Sequence, residues 1–497
     1  MGNNLESSFR ETETATARNF VDPDFVGINN TAPKDRTVAN TITRRRIFGV
    51  FGDFTADWKN IVFLNFKARN DWSSTLPKAN NSFFYPAIST SIVLTDLMKE
   101  LSGNEDTGFL SYGKIRAAWA QVGKDAPAHR LQTTLGTYIN DFTINPRGFI
   151  VNMNDFYGNP VLKPQFDNSW EVGADLRFLN SRIGLDVTWY KNGSSDQILA
   201  TRTPPSSGSF LAFLNGGSIE NKGFEGILNV QPVKKQDFSW TFDVNFSTNK
   251  SKVISLPGFL DRVELSDAWV KGDAAQGAAF LNSTLFGING RVWKTNDKGE
   301  YLLDNNGNPQ VAANLEMIGD RNPDWIGGIT NNFQYKNLGL SFMWDVRQGG
   351  DVFNATAYTL VLSGLSPMTL DRGTAVIPGV IESTGAVNDK AIPMGQDYYQ
   401  TKFANNSRNF VEDGSWIRLR YVSLSYKAPA SFTERLRLSN LQFTLTGRNL
   451  LLFTDYSGVD PEVSGSGAGV GGSGSFGFDN LGVPATRGFD LGLKFSF

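Results

Sequence analysis

The stretch that most constrains this chain is its last, residues 486–497. Phe489, Leu491, Leu493, Phe495 and Phe497 alternate with Asp490, Gly492, Lys494 and Ser496. Strand side chains point to opposite faces in turn, so one face is wholly apolar and the other polar. In a soluble sheet such a face must be buried against a partner. Here the same pattern recurs along the chain with no matching core-forming segment. An apolar-out, polar-in strand of this length fits a transmembrane β-barrel, where lipid takes the place of the core.

Alternation and turn residues mark about thirteen strands, at 45–57, 62–69, 83–95, 109–122, 172–178, 185–189, 223–230, 238–246, 325–335, 338–345, 416–426, 441–445 and 486–497. The alternation changes phase near Arg420 and Tyr421, which predicts a bulge. Connections alternate short and long. Tight turns are expected at 58–60, 180–182, 234–237 and 336–337, and long loops at 121–167, 249–323, 347–413 and 451–484. Outer-membrane barrels have this asymmetry, with short periplasmic turns and long extracellular loops. The predicted fold is therefore all-β: a partial antiparallel transmembrane β-barrel with long loops on one side and short turns on the other. An odd count leaves the first and last strands parallel, so either one strand is overlooked or strands lie before Met1. Residues 1–19 have no apolar h-region of a signal peptide, which favours the second option.

Composition narrows the chemistry. With 49 acidic and 47 basic residues the net charge is −2, and no basic excess suggests nucleic acid. Cysteine is absent and His129 is the single histidine, so thiolate metal sites and His-rich zinc centres are excluded. No apolar run reaches the ~20 residues of a spanning helix.

Several segments then carry a family resemblance. Arg69-Asn70-Asp71-Trp72-Ser73-Ser74 with Phe84-Tyr85-Pro86-Ala87-Ile88-Ser89, the Ser169–Leu176 run and Gly217-Ser218-Ile219-Glu220-Asn221-Lys222-Gly223-Phe224-Glu225 are similar to barrel segments of the SusC/RagA family of TonB-dependent outer-membrane transporters. So are Arg347-Gln348-Gly349-Gly350-Asp351-Val352-Phe353-Asn354, the 410–420 run, Gly447-Arg448-Asn449-Leu450 and Tyr456-Ser457-Gly458-Val459-Asp460-Pro461-Glu462. The resemblance implies a barrel of about 22 strands with a plug in its lumen, in the outer membrane of a Bacteroidetes-like Gram-negative cell. It implies import of a glycan oligosaccharide or peptide under a SusD-like lipoprotein, driven by the TonB system. It also implies that Phe497, as a terminal aromatic, is the signal read by the barrel assembly machinery. On this reading residues 45–497 are the C-terminal part of the barrel and residues 1–44 a loop or incomplete N-terminal strand region. The plug domain, the TonB box and the signal peptide lie outside this chain.

Other motifs have bland readings. The G-x-G-x-x-G at 467–472 sits in a Gly/Ser loop instead of a βαβ unit, so it reads as a flexible loop. Asn296–Gly299 and Asp304–Gly307 read as type I′ hairpin turns in preference to calcium loops. His129 reads as a solvated loop side chain. Glu171, Asp175, Arg177, Asp186 and Asp243 fall on polar strand faces, as a lumen wall whose charges satisfy one another or as a substrate path. Trp58, Trp240, Trp325, Trp344 and Trp416 sit where interfacial girdles use them. Aromatics that could stack on a sugar belong in loops, where Tyr138, Tyr157, Trp269, Tyr358, Tyr398 and Tyr399 fall. No catalytic group, cofactor or metal is expected. Two other classes remain: a non-transport surface binding protein or adhesin built of β-sandwiches, with two apolar faces packed on each other, and an outer-membrane enzyme, which lacks an evident nucleophile–base pair.

Overall fold

The computed structural model describes the chain except residues 105, 134, 139–149, 154–155, 204–210, 259, 265–273 and 463–475, and for 135–138, 150–153, 156 and 202 it describes the backbone alone. Its frame is one antiparallel sheet of 14 strands, each hydrogen-bonded to the next in sequence. The strands are β1 (Gly2–Ala17), β2 (Arg36–Trp58), β3 (Val62–Ser73), β4 (Ser82–Val93), β5 (Leu110–Lys124), β6 (Gln165–Phe178) and β7 (Ile183–Ser195). There follow β8 (Ser218–Lys234), β9 (Phe238–Ser255), β10 (Trp325–Tyr335), β11 (Leu338–Gln348), β12 (Trp416–Lys427), β13 (Asn440–Phe453) and β14 (Gly488–Ser496). A β-sandwich would split these strands between two packed sheets; here they form one.

The extra strand is β1, in a region expected as a loop. It pairs with β2 from Gly2↔Phe51 to Ala17↔Arg36. Leu5 and Phe9 are its only large apolar residues, so the period of two that marks the other strands is hidden under Glu, Thr and Ser. With 14 strands the first and last run antiparallel, and the odd count is corrected by this one strand.

Short connections cluster at one end. Lys59 and Asn60 have φ of 51° and 57°, the left-handed pair of a tight hairpin turn. Leu179, Asn180 and Ser181 turn the chain at 52°, 55° and 61°. The link between β4 and β5 is a helix instead of a plain turn: α1 (Leu94–Ser102), stopped by Gly103 at φ 67°. The expected bulge is present, with the ladder slipping between Leu419 and Tyr421 against β13 and between Met343 and Trp344 against β12. The turns at 296–299 and 304–307 are hairpin turns, but not type I′. Only Gly299 and Gly307 take positive φ (80° and 86°), so each is a right-handed turn closed by a left-handed glycine.

The sheet's two faces separate as the alternation predicts. Outward side chains such as Phe54, Phe66, Leu445, Leu491 and Leu493 are exposed, Leu491 to 87%. Exposing these to water at ~25 cal/mol per Å² is untenable across a whole sheet face, so lipid is their solvent. Two aromatic belts bound this band. Phe48–Trp72, Trp119–Trp170, Phe246–Trp325 and Trp344–Phe453 pack at the long-loop end, and Phe109–Phe178, Trp240–Phe333 and Phe495–Phe497 at the short-turn end. On β10 the two belts are Trp325 and Phe333, which at ~3.3 Å per residue are ~26 Å apart along the strand, or ~20 Å of membrane height at a strand tilt of ~40°. Trp416 leaves the pattern: it is buried beneath the Arg418 and Arg420 guanidinium groups, 5.5 and 4.9 Å from its ring.

Candidate functional site

Inward-facing residues make a polar wall. Arg116 donates to both carboxylate oxygens of Asp186 (2.6 and 3.2 Å) and to Thr188 Oγ1 (2.6 Å). Asn229 donates to Asp243 (2.6 Å), Arg177 approaches Asp175 (3.5 Å), and Ser169 donates to Glu171 (3.2 Å). The charges singled out in the sequence thus have polar partners along the wall, the arrangement expected of a hydrated conduit whose ions satisfy one another. A cavity of about 250 Å³ opens between Asn65, Ser91, Lys114, Arg116 and Glu171 on this side.

At the long-loop end the connections fold into a layer with its own core. Ile288, Phe353, Val361, Phe410 and Phe478 are fully or almost fully buried there. A short helix, α2 (Ala355–Leu362), is capped by Asn354, whose side-chain oxygen accepts from the Ala357 N–H at 2.8 Å. Phe410 packs edge-on against Tyr358 at 5.2 Å. Three buried ionic groups brace the long-loop end of the wall. Arg321 is fully buried between the rings of Phe476 and Phe478 (4.5 and 5.0 Å), with Nε on the Phe286 carbonyl and Nη1 on that of Phe476. Burial pushes its pKa down to about 10, with the nearby Asp320 charge opposing, so it stays a cation at neutral pH. Arg418, 3% exposed, donates to Asp460 at 2.6 Å, and Asp460 also accepts the N–H groups of Glu462 and Ala485. Arg420 is shared by Asp345 (2.6 Å) and Glu462 (2.6 and 2.8 Å). The Tyr456–Glu462 segment and the Arg418/Arg420 strand, separate in sequence, therefore meet as one ionic clamp.

The third anchor is Asp125, at the end of β5. It accepts from Arg45 (3.0 Å twice), Ser73 (2.6 Å) and Thr75 (2.9 Å). Burial opposes its ionisation, but the hydrogen bonds from Arg45, Ser73 and Thr75 outweigh it and hold its carboxyl below the usual range. A depressed carboxylate adds stability in full above its unfolded pKa of about 4, and that stability is lost as pH falls through the lower folded value. Asp125→Asn is expected to destabilise by ~1–3 kcal/mol at pH 7 and to flatten the acid limb of the unfolding curve below pH 4. Equal pH dependence in both proteins sinks the assignment.

The Arg347–Asn354 motif turns out to be a corner. Gly349 and Gly350 have φ of 74° and 83°, and a Cβ on Gly350 would lie 2.9 Å from the Arg321 carbonyl. Arg347 Nη2 donates to that same carbonyl at 2.9 Å. Gly350→Ala is expected to cost ~1–3 kcal/mol through backbone strain alone, read by thermal unfolding.

The loop aromatics proposed from sequence are placed unequally. Tyr358, Tyr398 and Tyr399 are buried in the loop-layer core, 5–7% exposed, with ring faces on protein and not on offer to a sugar. Burial raises the Tyr398 phenol to about 12, with Tyr399 adding to it. Tyr399 alone also lines an open pocket of about 300 Å³ with Arg372, Gln396 and Gln400, and its hydroxyl donates to the Asp371 carbonyl. Tyr157 is half-buried in a short strand paired with Leu211 and Ala212. The Tyr138 side chain, Trp269 and the 467–472 glycines lie outside the described residues. His129 is exposed at φ 61°. Asp304 spends its carboxylate on the N–H groups of Asn306 and Asn308, as a turn does. Phe497 is 90% exposed on the outward face, and its carbonyl accepts from Ser439. Sequence reasoning missed the clamp partners, although the alternating Arg418-Leu419-Arg420 and the isolated Asp460-Pro461-Glu462 were visible as complementary charges.

An antiparallel wall with lipid-facing outer side, charged inner side and elaborated loops at one end defines a transmembrane β-barrel wall. The family model "TonB dependent receptor-like, beta-barrel" matches residues 2–450. The chain belongs to the TonB-dependent receptor β-barrel family and is an outer-membrane protein. TonB-dependent receptor P3 of Formosa agariphila is 27% identical over 492 residues, covering 92% of this chain and 46% of that protein. TonB-dependent receptor SusC of Bacteroides thetaiotaomicron is 25% identical over 483 residues, covering 92% and 44%. The RagAB peptide importer in its "closed-closed" state shares the fold, with a TM-score of 0.75 at 17% identity over 99% of this chain and 53% of that one. The chain spans about half the length of these relatives.

Proposed function

We propose that this chain supplies the C-terminal barrel wall and loop layer of an importer that takes a glycan oligosaccharide or a peptide across the outer membrane. What supports this is the charged, self-paired inner wall lying beneath a loop layer that has its own core. Binding occurs in the loop layer, and passage follows the Arg116–Asp186 side of the wall. The Tyr399 pocket is the contact we favour, because Arg372, Gln396 and Gln400 present donors and acceptors suited to hydroxyls or peptide amides alike. A SusD-like lipoprotein covers the loops, a plug and the TonB system provide gating and energy, and the assembly machinery reads the strand that ends in Phe497. None of these steps calls for an enzymatic group.

The test is deletion of the gene with complementation, scoring uptake of labelled oligosaccharides and labelled peptides side by side. Loss of one class, restored by the gene but reduced by Arg372→Ala, supports the reading. Unchanged uptake of both classes overturns it.

A further inference from the structure

Four lysines stand on the outer surface just beyond the aromatic belt, on the long-loop side. Lys191 lies two residues past Trp189 on β7, Lys222 two past Phe224 on β8, and Lys250 and Lys252 four and six past Phe246 on β9. At ~3.3 Å per residue they sit ~7–20 Å above those rings. The register sets Lys191 directly opposite Lys222, and Lys222 directly opposite Lys250. The same row continues through Trp170, opposite Lys191, to Trp119, opposite Trp170. Like charges facing each other across adjacent strands repel, and natural sheets usually alternate them with carboxylates. Here one carboxylate answers: Glu220 pairs with Lys191 at 2.8 Å, lies opposite Lys252 in the register and edges the same side of the adjoining cavity. Among the described residues no ion pair or side-chain hydrogen bond engages Lys222, Lys250 or Lys252.

These three lysines edge a cavity of about 490 Å³. It opens where β9 continues past its last pair with β10, Ser247↔Ile326. The opposite wall is Ser283, Thr284, Asp320 and Asp324, and one Asp320 oxygen is already taken by the Thr284 hydroxyl and the Asn322 N–H. Water and salt can solvate isolated lysines, but a row of three at a lipid–water boundary, beside two interfacial tryptophans, has the chemistry of a site for an anionic headgroup.

We propose that Lys222, Lys250 and Lys252 bind the phosphate of a lipid of the outer leaflet, with Trp119 and Trp170 flanking its apolar part. This uses the outer-membrane placement of the sheet and does not depend on what the protein imports. The phosphate sits between ammonium groups as a charge-assisted acceptor. The lipid is then an annular ligand held at one arc of the wall, β7 to β9.

The experiment is native mass spectrometry of the protein extracted from its own outer membrane in mild detergent. Wild type is expected to retain a phosphorylated lipid. The triple variant Lys222→Gln, Lys250→Gln, Lys252→Gln is expected to lose at least about tenfold of that occupancy, because three cations that attract the phosphate are removed together. It keeps Lys191–Glu220 and should keep its thermal unfolding profile, which separates lost binding from lost fold. A control triple at the exposed loop lysines Lys34, Lys78 and Lys298 should retain wild-type occupancy. Enzymatic removal of the lipid phosphate should release the lipid, while inorganic phosphate at the same concentration should not. Equal retention by the lysine triple overturns the proposal, and so does full displacement by inorganic phosphate, which would mark a free-anion site.

Discussion

Arg418→Ala is expected to be among the most damaging single substitutions in the chain. It leaves Asp460, itself 3% exposed, as a buried carboxylate without its cation. Breaking a buried pair from one side costs ~3–5 kcal/mol. The damage should spread. Asp460 also organises Glu462 and Ala485 through their N–H groups, and Glu462 shares Arg420 with Asp345. Losing the arginine therefore frees the described flanks of this connection, 454–462 and 476–487, from the wall. Asp460→Ala should cost a similar amount. The double variant Arg418→Met, Asp460→Leu should be much closer to wild type than either single change, because neither charge is then stranded. Urea unfolding in detergent, with limited proteolysis of the 454–487 segment, measures both. If the single changes cost less than ~1 kcal/mol, which is typical of exposed pairs, the clamp is not buried as described.

The second large effect tests the sidedness of the sheet. Leu445 points outward near the middle of β13, between Leu424 and Leu491 on the neighbouring strands. Leu445→Arg places a guanidinium where lipid tails belong, a change worth ~2–4 kcal/mol at the midplane. Its neighbour Thr444 points to the polar side, so Thr444→Lys should be tolerated. Both variants are compared by refolding yield into bilayers and by urea midpoint. Equal tolerance of both substitutions contradicts the lipid-facing assignment, whereas a penalty confined to Leu445→Arg agrees with it.

Most strands could be read from the chain because lipid imposes a stricter rule than a protein core does. Outward positions are predominantly apolar, so alternation runs unbroken through residues such as Trp240, Phe242, Val244 and Phe246, and a polar exception such as Asn331 is taken up by the Trp240 indole N–H. β1 escaped because Glu11, Thr12, Glu13 and Thr14 give its two faces the same polarity, and only its pairing with β2 defines it. The bulge was legible because two consecutive residues, Arg420 and Tyr421, break the phase. α1 was not, since Leu94 and Thr95 continue the alternation of β4 and its helical period shows only over the following turn. The burial of the loop tyrosines was hidden for a different reason. Local sequence says that Tyr358, Tyr398 and Tyr399 lie between strands, but not that segments a hundred residues apart meet to bury them. The clamp is invisible for the same reason, as Arg418 and Asp460 become partners only after the strand and the loop are both in place.

The shared core of the loop layer also limits how such a protein can be altered. Ile288, Phe353 and Phe478 come from three different connections and pack in one cluster. Exchanging one connection for that of a relative would strip apolar surface from the other two. New ligand preferences should therefore be easier to obtain by changing rim residues such as Arg372 and Gln396 than by transplanting a whole loop, and grafts should succeed only when all three connections move together.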